Sequence, residues 1–253
     1  MLDEIHLTDL TFGNRVHFFG GKFLVTAFSL NGELRIYHTE SANLVETQKG
    51  SVKNCIYINE AENLILTGGR DHLFEVYELV RHDKEHLELV SIATETLLDP
   101  INHISEGSGF YSVCAGHFVS IYSISRSAAF VNHKHKKVRC KFIRSFQCKN
   151  KVVSARIFGS PLAGVAFHDS STLWTYSANG QFLASRTISL KLEPQLVRDS
   201  NFMDMLLCLE ESQMTLLNTP TLSVVRCVSL PNNRVWTYWR WLPDTVLLGT
   251  SAG

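Results

Sequence analysis

His168-Asp169-Ser170 sets an imidazole, a carboxylate and a hydroxyl side by side, the three groups of a hydrolase triad. A triad works when its members meet in space from separate parts of the chain, with the serine exposed on a Gly-x-Ser-x-Gly elbow. Ser170 is not framed by such an elbow, and between the apolar residues Ala166 and Leu173 the sequence Asp-Ser-Ser reads as turn chemistry. His133-Lys-His135, with Cys140 or Cys148, offers imidazole and thiolate, the usual zinc donors. The spacings match no standard site and the flanking lysines repel a cation, so an exposed basic loop is expected. Gly20-Gly21 and Gly68-Gly69 lack the further glycine and the Lys-Ser/Thr of a phosphate-cradling loop. Glu210-Glu211 falls in a predicted turn with no partner acid, which gives glycosidase chemistry no footing. The expectation is no catalytic site, no metal and no cofactor, hence no enzyme.

Two other groups of residues point to binding. Lys134, Lys136, Lys137, Arg139, Lys141, Arg144, Lys149 and Lys151 crowd into residues 133 to 151 without one acid. Clustered bases at an anionic lipid surface contribute about 1 kcal/mol each, and similar clusters hold nucleic acid by releasing counterions. The plainer reading is a solvated strand and loop, because Lys141-Phe-Ile-Arg144-Ser-Phe146 mixes charged and apolar positions as a half-exposed strand does. The second group is Trp236, Tyr238, Trp239 and Trp241, residue types that anchor interfaces and also fill packed cores. At least two of these rings are expected in the core, and any exposed remainder marks a partner surface.

The chain of 253 residues has net charge zero, but the charge is unevenly spread. Residues 1 to 106 hold 17 acids and 8 bases, residues 107 to 168 hold no acid and 10 bases, and the rest hold 7 and 6. No apolar run approaches the roughly 20 residues of a membrane helix. Met1-Leu-Asp-Glu-Ile-His has acid where a secretory signal carries base, so the expected address is cytoplasmic, with peripheral membrane contact allowed by the basic segment. Six cysteines without a C-x-x-C pair are expected as small buried hydrophobes in a reducing compartment.

The elements that must carry these residues repeat. Leu34-Arg-Ile-Tyr37, Phe74-Glu-Val-Tyr77, Val119-Ser-Ile-Tyr122 and Leu173-Trp-Thr-Tyr176 are separated by 40, 45 and 54 residues. The first two follow an apolar strand and a turn, Asn31-Gly32 in one and Gly69-Arg-Asp71-His72 in the other, where glycine supplies the positive φ of a tight hairpin. Met205 to Leu217 is a fifth copy without the tyrosine, and a sixth begins at Trp236 and breaks off in Leu247 to Gly253. Helical spacing of apolar residues is nowhere sustained; His82 to Leu89 is the nearest approach. A repeat of this length built from short strands predicts an all-β propeller of about six degenerate four-stranded blades, the last incomplete, in one domain spanning residues 1–253.

The segment Leu64 to Tyr77 resembles the core strand, Asp-bearing turn and strand of WD40 repeats. The family's Trp-Asp ending is replaced by Tyr37-His38, Tyr77-Glu78, Tyr122-Ser123 and Tyr176-Ser177, and Gly-His pairs are missing at the blade starts. These departures put the family's Asp-His-Ser/Thr-Trp hydrogen-bond network in doubt. Leu173 to Arg186, the strand pair ending at Pro220-Thr-Leu and Leu242 to Gly253 resemble the C-terminal WD40 propeller of BEACH-domain (neurobeachin-like) proteins, while nothing resembles the BEACH domain itself. The resemblance implies a protein-interaction scaffold in membrane or vesicle trafficking. The alternative is a propeller subunit of an RNA-processing or chromatin complex using residues 133–151, with nucleic acid the less favoured partner. Ile5 to Leu10 is the expected outer strand of the blade that Trp236 begins, and the missing strand of that blade is expected from a longer protein or another segment.

Overall fold

The structure, a computed structural model, describes residues 15–19, 22–27, 32–41, 43–49, 53–82, 87–126, 138–160, 162–198, 204–231, 234–242 and 245–250. Among the described residues there is no helix, and so none long and apolar enough to cross a membrane. Every regular element is a strand.

The strands form sheets in chain order. The first sheet is β1 (Arg15–Phe19), β2 (Phe23–Ala27), β3 (Glu33–His38) and β4 (Leu44–Lys49); the second is β5 (Lys53–Asn59), β6 (Leu64–Gly69), β7 (Leu73–Arg81) and β8 (Leu87–Thr96). The third is β9 (Ile101–Gly107), β10 (Phe110–Ala115), β11 (Phe118–Arg126) and β12 (Val138–Gln147). The fourth is β13 (Ser154–Phe158), β14 (Gly164–His168), β15 (Thr172–Ser177) and β16 (Phe182–Thr187). The fifth is β17 (Gln195–Arg198), β18 (Asp204–Leu209), β19 (Gln213–Asn218) and β20 (Val224–Ser229). In the sixth, β21 (Trp236–Leu242) and β22 (Thr245–Thr250) pair with each other alone among the described residues. Ile5 to Leu10 lies outside the described residues.

The repeating tyrosine has a fixed place: Tyr37, Tyr77, Tyr122 and Tyr176 all lie on the third strand of their sheets. In the first, second and fourth sheets the pairing with the fourth strand slips at the tyrosine, between Ile36 and Tyr37, Val76 and Tyr77, and Thr175 and Tyr176. The fifth sheet slips at the same point, between Leu216 and Leu217, which identifies Leu217 as its counterpart. A bulge bends and twists a strand, so in the first, second and fourth sheets the tyrosine marks where the pairing with the fourth strand changes register.

Burial follows strand position. β6 and β14 are buried at every residue, whereas β20 is exposed at every residue, and most of β16 is exposed or half-exposed. In the β6–β7 turn the positive φ falls on His72 rather than on glycine, which corrects the expectation for that turn, whereas Gly32 before β3 does adopt it. Gly68 lies within β6 and is required by close approach: a Cβ there would stand 2.3 Å from the Ile101 side chain.

Contacts divide the chain into two units. One comprises Met1–Ile104, Val113–Gly116 and Ser120–Arg144; the other comprises Ser105–Ser112, His117–Val119 and Ser145–Gly253. The core of the first joins Phe23, Val25, Leu34 and Ile36 to Ile56, Ile65, Tyr77 and Leu79. In the second, Phe158, Ala166 and Leu173 pack with Leu206, Cys208 and Leu217, and a further cluster sets Val197, Leu207 and Leu209 against Trp236 and Trp239. Burying such side chains contributes about 1.5–3 kcal/mol each.

Candidate functional site

Asp169 heads the turn from β14 to β15, as its sequence predicts. Its carboxylate accepts hydrogen bonds from the Ser171 and Thr172 amides at 2.8 Å, Asn150 Nδ2 at 2.9 Å and Trp174 Nε1 at 3.2 Å. Burial alone would raise its pKa, but these donors together hold it below the ordinary carboxylate value. Its acceptors are thus committed to holding the turn. His168 is buried opposite Ser154 in the β13–β14 register, and burial lowers its pKa despite the nearby acids Asp169 and Glu193. Glu210 accepts from Gln213 Nε2 at 2.7 Å and Thr215 Oγ1 at 3.0 Å, while Glu211 pairs with Lys191 at 3.5 Å.

His133 and His135 lie outside the described residues. Burial pushes the Cys140 thiol up to about 11 and Cys148 up to about 12, with Glu95 and Asp169 adding to the respective shifts, so both are protonated at neutral pH. No cluster of three metal-ligating side chains occurs among the described residues. Cys55, Cys114 and Cys208 are buried, as expected of small hydrophobes; Cys227 is exposed on β20, contrary to that expectation, because it sits on an outer strand.

The second sheet contains a polar network that the sequence did not reveal. Lys53, at the start of β5, forms an ion pair with Glu75 on β7, and both side chains are buried. Tyr77 Oη donates to Glu75 Oε1 at 2.9 Å, and Thr67 Oγ1 to Glu75 Oε2 at 3.5 Å. Base, hydroxyls and carboxylate thus meet inside one sheet, the carboxylate coming from its third strand. Asp71, in the turn, accepts from the Leu73 amide at 3.3 Å. Burial brings the Lys53 ammonium down to about 8, with Asp71 opposing the shift. The available signal was a lysine at the start of a blade and a glutamate in Phe-Glu-Val-Tyr, 22 residues apart.

Of the basic segment, Lys134, Lys136 and Lys137 lie outside the described residues. Arg139, Lys141 and Arg144 are exposed on β12, the terminal strand of the third sheet, between buried Val138 and Phe146. Strand alternation sets Arg139, Lys141 and Ile143 on one face and Cys140, Phe142 and Arg144 on the other. Phe142 meets Tyr122 edge-on at 5.7 Å yet stays 48% exposed, and Ile143 is 40% exposed. These two apolar residues join the candidate contact; their signal was the mixture of charged and apolar positions in Lys141 to Phe146. Lys149 and Lys151 are exposed in the segment after β12, within the other unit. None of these five bases has an ion pair among the described residues. Bases on either side in sequence do: Arg126 bonds Glu78 at 2.5 Å, and Arg156 meets Glu193 at 3.3 Å.

The aromatic group divides. Trp236 and Trp239 are core residues, their indole N–H groups donating to the Glu211 carbonyl at 3.3 Å and the Glu193 carbonyl at 3.1 Å. They are thereby removed from the candidate partner surface, because a ring packed among Val197, Leu207 and Leu209 presents nothing to a partner. Tyr238 is exposed, and the side chain of Trp241 lies outside what is described.

No protein-family model and no curated protein matches the sequence. Solved structures do match its fold. Sqt1 from Saccharomyces cerevisiae superposes with a TM-score of 0.66 at 13% identity, over 94% of this chain and 68% of that one. Sqt1 from Chaetomium thermophilum bound to the N-terminus of ribosomal protein L10 gives 0.60 at 13% identity, over 83% of this chain and 61% of that one. The WD40 β-propeller domain of Doa1 gives 0.62 at 12% identity, over 92% and 74% respectively. The chain therefore spans less than two thirds of the Chaetomium thermophilum Sqt1 chain in that complex. The fold is that of a WD40-like β-propeller with degenerate four-stranded blades.

Proposed function

We propose that this chain is a non-enzymatic protein-interaction scaffold that holds anionic partners through its basic outer strand. The observation that carries the reading is the exposure of Arg139, Lys141 and Arg144 without a carboxylate partner among the described residues, while Arg126 and Arg156 are paired. Unpaired exposed charge costs the fold little and steers oppositely charged partners. Lys149 and Lys151, also exposed, extend the basic run along the chain. A structural neighbour is bound to the N-terminus of another protein, which supports partner binding as a use of this fold.

The finer reading is a trafficking role of the BEACH type, in the cytoplasm and peripheral to anionic membranes; its support is the resemblance carried by residues 173–253. Nucleic acid is the rival partner for the same bases. Lysine-reactive cross-linking of the intact protein in cell extract tests the scaffold. Cross-links from Lys141, Lys149 and Lys151 to a defined protein set, strongly reduced when Arg139 and Arg144 are changed to glutamate with the three lysines kept, are the expected result. An unchanged set would overturn the reading, and RNA-dependent recovery of that set would favour the nucleic-acid alternative.

A further inference from the structure

β12 ends its sheet, and among the described residues no strand lies beyond it. A terminal strand points about half of its N–H and C=O groups away from the sheet, a ready template for another extended chain. Proteins usually shield such an edge with a short strand, proline, a bulge or charge. β12 is ten residues long and contains no proline; its protection is the charge of Arg139, Lys141 and Arg144. That protection is one-sided in sign. It repels a second basic edge and attracts an acidic one.

The fourth strands of the other four-stranded sheets are different. β4 mixes Glu46 with Lys49, β8 carries Glu88 and Glu95, and β16 and β20 carry one arginine each, Arg186 and Arg226. β12 alone among them combines three bases with no acid and two exposed large apolar residues between the bases, Phe142 and Ile143. Glu95 acts on half-buried Cys140, on the face that also carries Phe142 and Arg144 and opposite Arg139, Lys141 and Ile143.

We propose that Val138–Arg144 of β12 takes up an acidic extended segment of a partner protein as an added β-strand, its carboxylates facing Arg139, Lys141 and Arg144 and its apolar residues covering Phe142 and Ile143. The inference rests on the scaffold reading and specifies its partner. Seven strand residues span about 23 Å, room for three or four backbone pairs. Cross-strand pairs of opposite charge and apolar pairs beside them are the units that stabilise such an addition. A lipid headgroup or a phosphodiester chain answers the bases but pairs neither the backbone edge nor the apolar side chains, so the mixed character of β12 favours a peptide.

The test uses the whole chain and a fluorescein-labelled ten-residue peptide with the core Glu-Val-Val-Glu-Val-Glu, which paired antiparallel sets its glutamates opposite Arg144, Lys141 and Arg139 and valines opposite Ile143 and Phe142. Saturable binding is expected, weakened about 30-fold or more in the Arg139→Glu/Lys141→Glu/Arg144→Glu variant and about 10-fold in the corresponding glutamine variant, which carries no reversed charge. The same peptide N-methylated at alternate amides, which keeps the charges and blocks backbone pairing, is expected to bind at least about 10-fold more weakly. Circular dichroism verifies that both variants keep the strand signal. Undiminished binding of the methylated peptide, or indifference of the unmodified one to charge reversal, would sink strand addition; the cross-links in the intact protein judge the scaffold reading separately. Tighter binding of phosphatidylserine vesicles or single-stranded RNA than of the peptide, lost in the same variants, would overturn the acidic segment as occupant.

Discussion

Lys53 and the bases of β12 carry the same charge and are treated in opposite ways. Lys53 is almost completely buried, and its ammonium is held by Glu75, which also receives Tyr77 and Thr67. Arg139, Lys141 and Arg144 stand in solvent with no carboxylate among the described residues. A buried charge must be matched or it unfolds the protein, whereas an exposed one can stay unmatched at almost no cost. The contrast separates charge that holds the fold from charge left available to partners.

The largest effect expected from breaking that contrast is at Lys53. Lys53→Met leaves Glu75 buried without its cation and should destabilise the protein by about 3–5 kcal/mol in denaturant unfolding. Replacing both, Lys53→Met with Glu75→Leu, should restore most of the loss, since a buried pair exchanged for apolar groups of similar volume is often neutral. A double variant as unstable as the single would mean that the pair is not what Lys53 contributes. Next comes Asp169→Ala, which strips the acceptor from Ser171, Thr172, Asn150 and Trp174 and should cost about 2–3 kcal/mol by the same measurement. A cost under about 0.5 kcal/mol would show the turn to be held by its backbone alone.

His168 should give a smaller, pH-dependent effect. Its pKa is lowered in the folded protein by burial, so the unfolded chain binds the proton first as pH falls. Stability contributed by the neutral ring is complete above the unfolded value near 6.5 and is lost below it. His168→Leu should flatten the fall in stability between about pH 6.5 and pH 5; an unchanged slope would assign that fall to other groups. The smallest change belongs to β12. Replacing Arg139, Lys141 and Arg144 by glutamine should move stability by no more than about 0.5 kcal/mol in thermal unfolding while weakening peptide binding. A loss of several kcal/mol would make these bases structural after all.

Much of this arrangement was legible in the chain. The tyrosines at 37, 77, 122 and 176 marked third strands, and Asp169-Ser-Ser marked a turn, because strand alternation and turn formation are set by neighbours in sequence. The aromatic group was legible only in part. Nothing local distinguishes Trp239, packed against Val197 and Leu209, from exposed Tyr238 one residue earlier. The positive φ at His72 is not legible in the chain because Gly68 and Gly69 offer a simpler turn, yet Gly68 serves the close approach of Ile101 inside β6.

The sequence by itself determined the all-β repeats and the basic middle, since periodicity, turn chemistry and charge composition are properties of the chain read in order. Only the tertiary structure decided that Lys53 would be neutralised by Glu75 while Arg139, Lys141 and Arg144 were left to solvent. Pairing and burial depend on which residues the folded sheets bring together, and Coulomb energy depends on distance and surroundings in space rather than on separation along the chain.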